Sequence, residues 1–197
     1  SIKSQYKSKI GLIDRMYKYS PYSFVKGGRK EALKILSANL PNLANYKAVR
    51  QIPLMRKNTS SHMSAYNKYG CVSIRELYKK IIELYDSEHE LIRQIVWRDF
   101  YYNLVYNYPE TFEGKHSYIN TYEWSDNKSD FGKWCSGNTG FPFVDAGMRQ
   151  LNKEGYMPNR LRLVCASFLI KNLHIDWRWG EKYFARRLVD YDPSQNN

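Results

Sequence analysis

The last third of the chain, residues 139–197, reads TGFPFVDAGMRQLNKEGYMPNRLRLVCASFLIKNLHIDWRWGEKYFARRLVDYDPSQNN. Its proline and glycine positions predict helices. Pro142 stands where a first helical turn tolerates proline, and Gly155 is suited to cap the C-terminus of the same helix. Further helices are predicted over about 158–171 and 180–189. No convincing alternation of apolar and polar residues indicates a strand, so this stretch favours a helical fold.

Earlier segments carry similar helix signals. Apolar residues recur on one side of a predicted helix over residues 29–40. The sequence SIRE at 73–76 is a capping box, and the helix behind it is predicted to reach about residue 85. A second box, SEHE at 87–90, predicts a long amphipathic helix that Pro109 ends.

The remaining segments define the domain organisation. Residues 1–26 are polar and rich in Tyr, Ser and Lys, which predicts a linker or arm. Residues 110–130 are predicted to form a polar loop. Internal repeats and low-complexity tracts are absent from the sequence. We therefore expect an all-α protein with one helical domain over residues 27–197.

The charge of the chain favours a polyanionic partner. The formal net charge is +12 and the sequence pI is about 9.5, which points to DNA or RNA before a membrane. The alternative is a basic protein that is merely soluble. Aromatic residues make up 16% of the chain, and they suit either stacking on bases or on a flat cofactor, or a packed core.

The cysteines indicate a reducing environment. Cys71, Cys135 and Cys165 form no CxxC pair, which argues against a disulfide scaffold or a zinc site. We therefore expect an intracellular protein, in the cytoplasm or the nucleus. No segment of the sequence is apolar enough to suggest a membrane span, so a membrane partner is not expected.

Two pairs of polar residues near the C-terminus are candidates for a binding site. Asn159 and Arg162 are three residues apart and share a helix face, where they can bind a polar, flat ligand. Arg162 can also pair with a carboxylate such as Asp190, and the alternative is a solvated basic face. Asp190 and Asp192 form a DxD motif, which is either a metal-binding pair or, more commonly, a solvated turn. No metal is predicted.

Two further segments have candidate functions. The hydroxyls of Ser60, Ser61 and Ser64 can hold a phosphate near a helix start, or they can simply cap that helix. The sequence WRDFYY at 97–102 joins a cation to several rings. These rings suit stacking on an unpaired base, although a helix with aromatic residues on both sides is more often part of a core.

Read together, these segments resemble the flavin domain of the photolyase/cryptochrome family. The stretch 139–197 resembles that domain almost from end to end, and RQIVWRDFYYNL resembles the family's WREFY helix. The sequence SSHMSAYNKYGCVSIRELY resembles the TSxLSPYLxFGxxS segment, YKAVRQIP resembles the loop before it, and GGRKEAL resembles the start of the domain. The matches follow the family's order from Gly27 onward.

The resemblance implies that a helical domain binds FAD in a bent conformation. It assigns Tyr46 to the FAD phosphates, residues 60–64 to the phosphate and ribityl groups, and Asn196 to flavin N5. The implied partner of Arg162 is Asp190. The full set of implied cofactor-binding residues is Tyr46, Ser60, Ser61, His62, Met63, Ser64, Asn159, Arg162, Asp190, Tyr191, Asp192 and Asn196.

The resemblance also implies a lesion site and a path for electrons. Trp97 and Tyr156 match the two aromatic walls of the lesion pocket. Trp177 and Trp124 match the middle and outer members of a tryptophan chain that reduces the flavin, and with Asn196 they are the implied catalytic residues. The implied DNA- and lesion-binding residues are Gln94, Trp97, Arg98, Tyr101, Tyr156, Asn159 and Arg160.

The implied activity is light-driven DNA repair, a carbon–carbon lyase reaction. Reduced FAD absorbs blue light and passes one electron to a pyrimidine dimer in damaged DNA, which then splits. An antenna chromophore of the folate or deazaflavin type is expected only where an N-terminal antenna domain is supplied, for example by a separate chain. The alternatives are a cryptochrome-type blue-light photoreceptor and a non-catalytic DNA-binding fragment of a split photolyase gene.

Some positions depart from the family pattern. Gln94 stands where dimer photolyases usually carry Glu, and Gln is typical there of enzymes for the (6-4) photoproduct, whereas the NRLR run does not resemble theirs. His62 replaces a residue that is often Arg, and Ala65 replaces the usual Pro. The family's α/β antenna domain and its last helices have no counterpart in the sequence, so the helical domain is expected to be incomplete at its C-terminus.

Overall fold

The computed structural model describes residues 23–51, 59–111 and 122–196. The arm predicted over residues 1–26 lies outside them apart from residues 23–26. Short 3-10 turns at Leu40–Asn42 and Pro109–Thr111 and a π-helical turn at Phe168–Asn172 accompany the α-helices. In the described part of the chain these helices are α1 Arg29–Asn39, α2 Tyr46–Val49, α3 Ser64–Lys68, α4 Ile74–Leu84, α5 Glu90–Asn107, α6 Lys128–Ser136, α7 Pro142–Glu154, α8 Asn159–Ser167, α9 Trp177–Arg187 and α10 Pro193–Asn196.

The all-α prediction is confirmed. Among the described residues, the β-structure consists of one isolated parallel bridge between Ser125 and Ile175. Pro142 begins α7, and Gly155 ends it with a φ of 67°, as the sequence indicated. Among the described helices, none combines the length and apolarity that crossing a membrane requires.

The buried side chains form two cores. The N-terminal core joins α1, α3, α4 and the start of α5. The C-terminal core joins α6 to α9 and contains the fully buried Trp134. The cores are joined at Phe24, which precedes α1 and whose backbone N–H donates to Glu154 O on α7 at 3.3 Å. They are joined again at α10, which follows α9 and packs against α5. The segment between α9 and α10 therefore lies beside elements of both cores.

One predicted helix start is confirmed and another is wrong. Ser73 caps α4 by accepting a hydrogen bond from the N–H of Glu76 at 3.1 Å. The box at 87–90 does not cap α5, which begins at Glu90 with His89 as its cap. The His89 ring stacks on Tyr85 with centroids 4.2 Å apart, and Nε2 lies 3.1 Å from Leu43 O. These contacts fix the imidazole, so Nδ1 accepts from the N–H of Leu91.

The prediction of a loop over residues 110–130 is wrong at its C-terminal end, because α6 begins at Lys128, and residues 112–121 of that prediction lie outside the described residues. Asn127 caps this helix by accepting from the N–H of Asp130 at 3.0 Å, and Gly137 ends it with a φ of 70°. The last long helix also begins earlier than predicted, at Trp177, because Asp176 caps it. Short polar caps, which are easily mistaken for loop residues, therefore determine both boundaries.

Close packing of α7 on α8 requires glycine at position 147. A methyl group on Gly147 would lie 2.9 Å from Cys165 Sγ, and Cys165 is fully buried. A methyl group on Gly132 in α6 would meet no atom within 4 Å. Both glycines are helical, so the substitution to alanine carries the same intrinsic helical preference at both positions.

We expect Gly147→Ala to lower the free energy of unfolding by about 1–3 kcal/mol, because the added methyl overpacks a rigid contact. Gly132→Ala is the matched control and should stabilise by up to about 1 kcal/mol. Urea denaturation measures both. In a Cys165→Ala background, which removes the opposing sulfur, Gly147→Ala should cost less. A stabilising Gly147→Ala would contradict the packing argument.

Candidate functional site

Three consecutive residues after α9 bind three different parts of the helical scaffold. Asp190 is the first, and its side chain is 3% exposed. Arg162 Nη2 lies 2.8 Å from both oxygens of Asp190, and Arg162 Nε donates to Met157 O at 2.7 Å. The pairing of Arg162 with Asp190 that the sequence suggested is therefore present, and it holds the start of this segment against α8.

Asp192 forms a second buried cluster. Its carboxylate accepts hydrogen bonds from Tyr102 on α5 and from Ser194 Oγ at 2.6 Å, and it lies 3.3 Å from Lys68 Nζ at the end of α3. Burial alone would raise the pKa of the Asp192 carboxyl. The hydrogen bonds from Ser194 and Tyr102 and the Lys68 charge outweigh burial, so the pKa lies below its ordinary value. Asp192 is therefore held as a buried anion.

The two aspartates do not act as one metal-binding pair. Asp190 faces Arg162, whereas Asp192 faces Lys68 and Tyr102. In residues 23–51, 59–111 and 122–196, His, Cys, Asp and Glu form no cluster of three or more suited to a metal ion. The DxD motif is therefore better described as two separate buried carboxylates, each with its own cation.

Tyr191, between the aspartates, points elsewhere. Its hydroxyl donates to Glu181 on α9, and its ring packs against the C-terminal core. Burial, followed by the hydrogen bond to Glu181, raises the pKa of the Tyr191 phenol. The Tyr191 side chain therefore contacts α9 and the C-terminal core. It fixes the backbone between the two carboxylates.

Helix α10 joins this segment to α5. Asn196 Oδ1 accepts from the N–H of Asp192 at 3.0 Å, and the N–H of Asn196 donates to Asp192 O at 3.0 Å. Gln195 Nε2 donates to Arg98 O at 3.1 Å. The predicted catalytic amide of Asn196 therefore lies in the Asp192 cluster.

The predicted hydroxyl loop lies on the side of the N-terminal core. Ser60 Oγ accepts from the N–H of His62, whose φ of 57° is in the left-handed region. Met63 belongs to the core and is 1% exposed, so its side chain is structural, whereas Ser64 is exposed at the start of α3. Asn39 Nδ2 lies 3.5 Å from Ser61 O.

His62 and Tyr156 connect this loop to the Arg162–Asp190 pair. Tyr156 is 7% exposed and stacks on Phe24 with centroids 4.8 Å apart, while the His62 ring meets it edge-on at 6.1 Å. The Arg162 guanidinium lies 5.6 Å from the Tyr156 ring centroid. Burial raises the pKa of Tyr156 to about 12 and lowers the pKa of His62. Tyr46, half-buried, completes this side, with Arg50 5.9 Å from its ring centroid.

Some buried polar atoms in this region lack partners. Within the described residues, His62 Nδ1 and Asn67 Oδ1 are buried without a hydrogen bond, as are the indole nitrogens of Trp124 and Trp177. Buried polar atoms normally have a partner, and orphans are a recognised feature of binding sites. Two of these atoms lie next to the hydroxyl loop: His62 Nδ1 belongs to a residue just before α3, and Asn67 Oδ1 to a residue within α3.

The predicted DNA-binding residues of α5 lie on one side of the helix, because 94, 97, 98 and 101 follow helical spacing. Trp97 and Tyr101 are 48% and 40% exposed, with ring centroids 5.9 Å apart and planes inclined by 28°. The alternative that these rings fill a core is therefore wrong. Gln94 Nε2 donates to Glu90 Oε1 at 3.0 Å, and Arg98 lies over the Tyr102 ring at 4.5 Å.

The other predicted contacts divide into two groups. Asn159 and Arg160 are exposed at the start of α8. Tyr156, by contrast, is buried, and its ring contacts Phe24 and His62. The segments that carry the predicted electron-transfer residues Trp124 and Trp177 are brought together by the hydrogen bond from the N–H of Ser125 to His174 O, at 2.7 Å.

Sequence reasoning missed the residues that hold Asp192 and Tyr191. No site role was predicted for Lys68, Tyr102, Ser194 or Glu181, although Lys68 and Tyr102 lie in segments that resemble the family. The hydroxyl of Ser194, two residues after Asp192, is a local signal that was available. The contacts of Lys68 and Tyr102 require the tertiary fold.

We expect Asp190→Asn to lower the free energy of unfolding by about 3–5 kcal/mol, because it leaves the guanidinium of Arg162 buried without its anion. Asp99→Asn, which removes an exposed ion pair with Arg98, is the control and should cost about 0–1 kcal/mol. A double variant, Arg162→Met with Asp190→Leu, should recover part of the loss. Chemical denaturation at neutral pH distinguishes these outcomes, and equal losses for both single variants would contradict the prediction.

Comparison with known proteins agrees with this architecture. The family model described as the FAD binding domain of DNA photolyase matches residues 91–197. A deoxyribodipyrimidine photo-lyase of Alkalihalophilus pseudofirmus is 41% identical over 195 residues, which is 94% of this chain and 39% of that protein. The chain thus spans about two fifths of the length of this relative.

Solved structures match the fold closely. A class III photolyase from Agrobacterium tumefaciens superposes with a TM-score of 0.81 at 36% identity, over 88% of this chain and 37% of that one. A cryptochrome from Synechocystis sp. gives a TM-score of 0.82 at 34% identity, over 91% and 39%. The chain therefore belongs to the photolyase/cryptochrome family, to the FAD-binding domain of DNA photolyase.

Proposed function

We propose that this chain is the FAD-binding part of a light-driven DNA-repair enzyme that splits UV-induced pyrimidine dimers, a deoxyribodipyrimidine photo-lyase. Family membership and the names of its relatives support this activity. The observation that carries the proposal is the contact of the buried carboxylate of Asp192 with Tyr102 of α5, the helix that also carries the exposed rings of Trp97 and Tyr101. The domain is proposed to extend over residues 27–197.

The residues present fit FAD. Hydroxyls and backbone amides at 60–64 suit the phosphate and ribityl groups, and the orphaned His62 Nδ1 and Asn67 Oδ1 provide buried positions that a polar ligand can satisfy. Asp190 and Asp192 suit N–H and hydroxyl groups of the cofactor. Tyr46, Asn159 and Asn196 complete the proposed binding set, whereas Met63 and Tyr191 contribute through their backbone because their side chains serve the cores.

When bound and reduced, FAD supplies blue-light absorption and one electron for the dimer. The residues of this chain position the partners of that transfer. Trp97 and Tyr101 offer stacked, exposed rings for a flipped base, and Arg98 and Arg160 offer charge for phosphates. Gln94 is proposed as a hydrogen-bonding residue at the lesion. Trp124 and Trp177 are proposed to carry electrons to the flavin.

The partner of this proposed activity is damaged DNA, and the net charge of +12 supports phosphate contact. An antenna chromophore of the folate or deazaflavin type is proposed only together with an N-terminal antenna domain. The unpaired cysteines support a reducing compartment.

A cryptochrome-type photoreceptor is the second candidate, since the Synechocystis cryptochrome structure fits as closely as the photolyase structure. One experiment separates the candidates. The purified chain is loaded with FAD, reduced, and illuminated with blue light in the presence of a dimer-containing oligonucleotide. Restored thymines support the repair enzyme. Bound FAD without splitting supports the photoreceptor, and a colourless protein that binds DNA supports a non-catalytic fragment.

We expect Trp97→Ala to weaken binding to dimer-containing single-stranded DNA by about 1–3 kcal/mol, because a stacking platform is lost. Tyr106→Ala is the matched control, since Tyr106 lies on the same helix and is 84% exposed. Fluorescence anisotropy in the dark measures both affinities. An equal effect of the two substitutions would show that α5 does not bind the lesion through Trp97.

A further inference from the structure

We propose that Lys68 and Tyr102 are positioning residues for Asp192 and, through it, set how strongly the domain prefers reduced over oxidised FAD. This inference rests on the proposed function, since it requires FAD beside Asp192. It goes beyond that function because it assigns a redox role to two residues for which the proposed function gives none.

The geometry joins three distant segments at one carboxylate. Lys68 ends α3, which begins at the hydroxyl loop, and its ammonium lies 3.3 Å from Asp192 Oδ2. Tyr102 lies on α5, 90 residues before Asp192, and donates its hydroxyl to the same oxygen. The side chains of Lys68 and Asp192 are 29% and 9% exposed. Water therefore screens this ion pair less than it screens an exposed pair.

The charges at the two aspartates are balanced differently. Asp190 is paired with Arg162, which contacts both of its oxygens and is buried with it. Asp192 is paired with Lys68 through one oxygen, and its other partners, Tyr102 and Ser194, are neutral. The net charge beside the segment 190–192 therefore depends on the Lys68 ammonium.

A flavin that is reduced to its anionic form gains negative charge. A neighbouring carboxylate disfavours that gain, and an ammonium paired with the carboxylate reduces the penalty. Tyr102 acts in the same direction, because its hydrogen bond withdraws charge from Asp192. Removing either partner should weaken the preference for reduced FAD without an equal effect on oxidised FAD.

The experiment compares the dissociation constants of oxidised and dithionite-reduced FAD for the whole chain. We expect Lys68→Met to lower the preference for reduced FAD about tenfold, which corresponds to a fall of about 30 mV in the two-electron midpoint potential. Tyr102→Phe should act in the same direction by less, and Asp192→Asn in the opposite direction. Lys68→Arg should retain the wild-type ratio.

Lys79→Met is the matched control. It also removes one lysine charge, but its side chain is 79% exposed and contacts Glu83 on α4. It should leave the ratio unchanged. If Lys68→Met leaves the ratio unchanged, or changes both dissociation constants equally, the inference is overturned. If wild type binds neither form of FAD, the proposed function is overturned as well. That result differs from the failure of this inference alone, in which wild type still binds FAD.

A readout on the apo-protein tests the contact itself. The groups that face Asp192 are Lys68, Tyr102, Ser194 and Asn196, with Arg98 over the Tyr102 ring. The lowered pKa of Asp192 contributes stability above the ordinary carboxyl pKa of about 3.9, which is lost as the pH falls through the lowered value. Wild type should therefore lose more stability on acidification than Lys68→Met. Equal acid losses would overturn the proposed contact.

Discussion

The buried ion pair between Arg162 and Asp190 is the constraint on which the candidate site depends. A guanidinium and a carboxylate that are both removed from water must be paired closely, because either one alone carries a large desolvation penalty. Arg162 also donates to Met157 O, so a second contact, independent of Asp190, holds its guanidinium in place. The chain leaving α9 can therefore pass α8 in one place. The directions of the next two side chains follow from that placement.

The tripeptide 190–192 begins in a turn, in which the N–H of Tyr191 donates to Leu188 O at 3.4 Å, and its three side chains reach different helices. Its first and third side chains bind charged groups, and the middle one returns to α9. Helices from both cores thus share one short segment, although each core is packed by its own apolar residues. A buried polar connection of this kind requires close pairing of its groups, since breaking one pair leaves a buried charge without a partner.

Local signals could be read from the sequence, and distant contacts could not. Pro142 and Gly155 act on their own helix, so their roles were predictable. Arg162 and Asp190 were predicted to pair because one is a strong cation and the other a carboxylate in a recognisable motif, and because the family resemblance implies the same pair. Lys68 and Tyr102 meet Asp192 across long separations, and the segments that contain them gave no indication of this contact. The cap of α5 was predicted two residues early, because tertiary contacts of His89 select it over Ser87.

The exposed face of α5 has a consequence for the behaviour of the chain in solution. Val96, Trp97 and Phe100 are each about half exposed or more, which leaves an exposed apolar strip on a strongly charged molecule. Such a strip can associate with other surfaces. At low ionic strength the charge of +12 keeps copies apart, since their repulsion extends over several tens of ångströms. Physiological salt shortens that range to about 8 Å, so the strip can reach another surface. Colloidal stability of this domain is therefore governed by ionic strength.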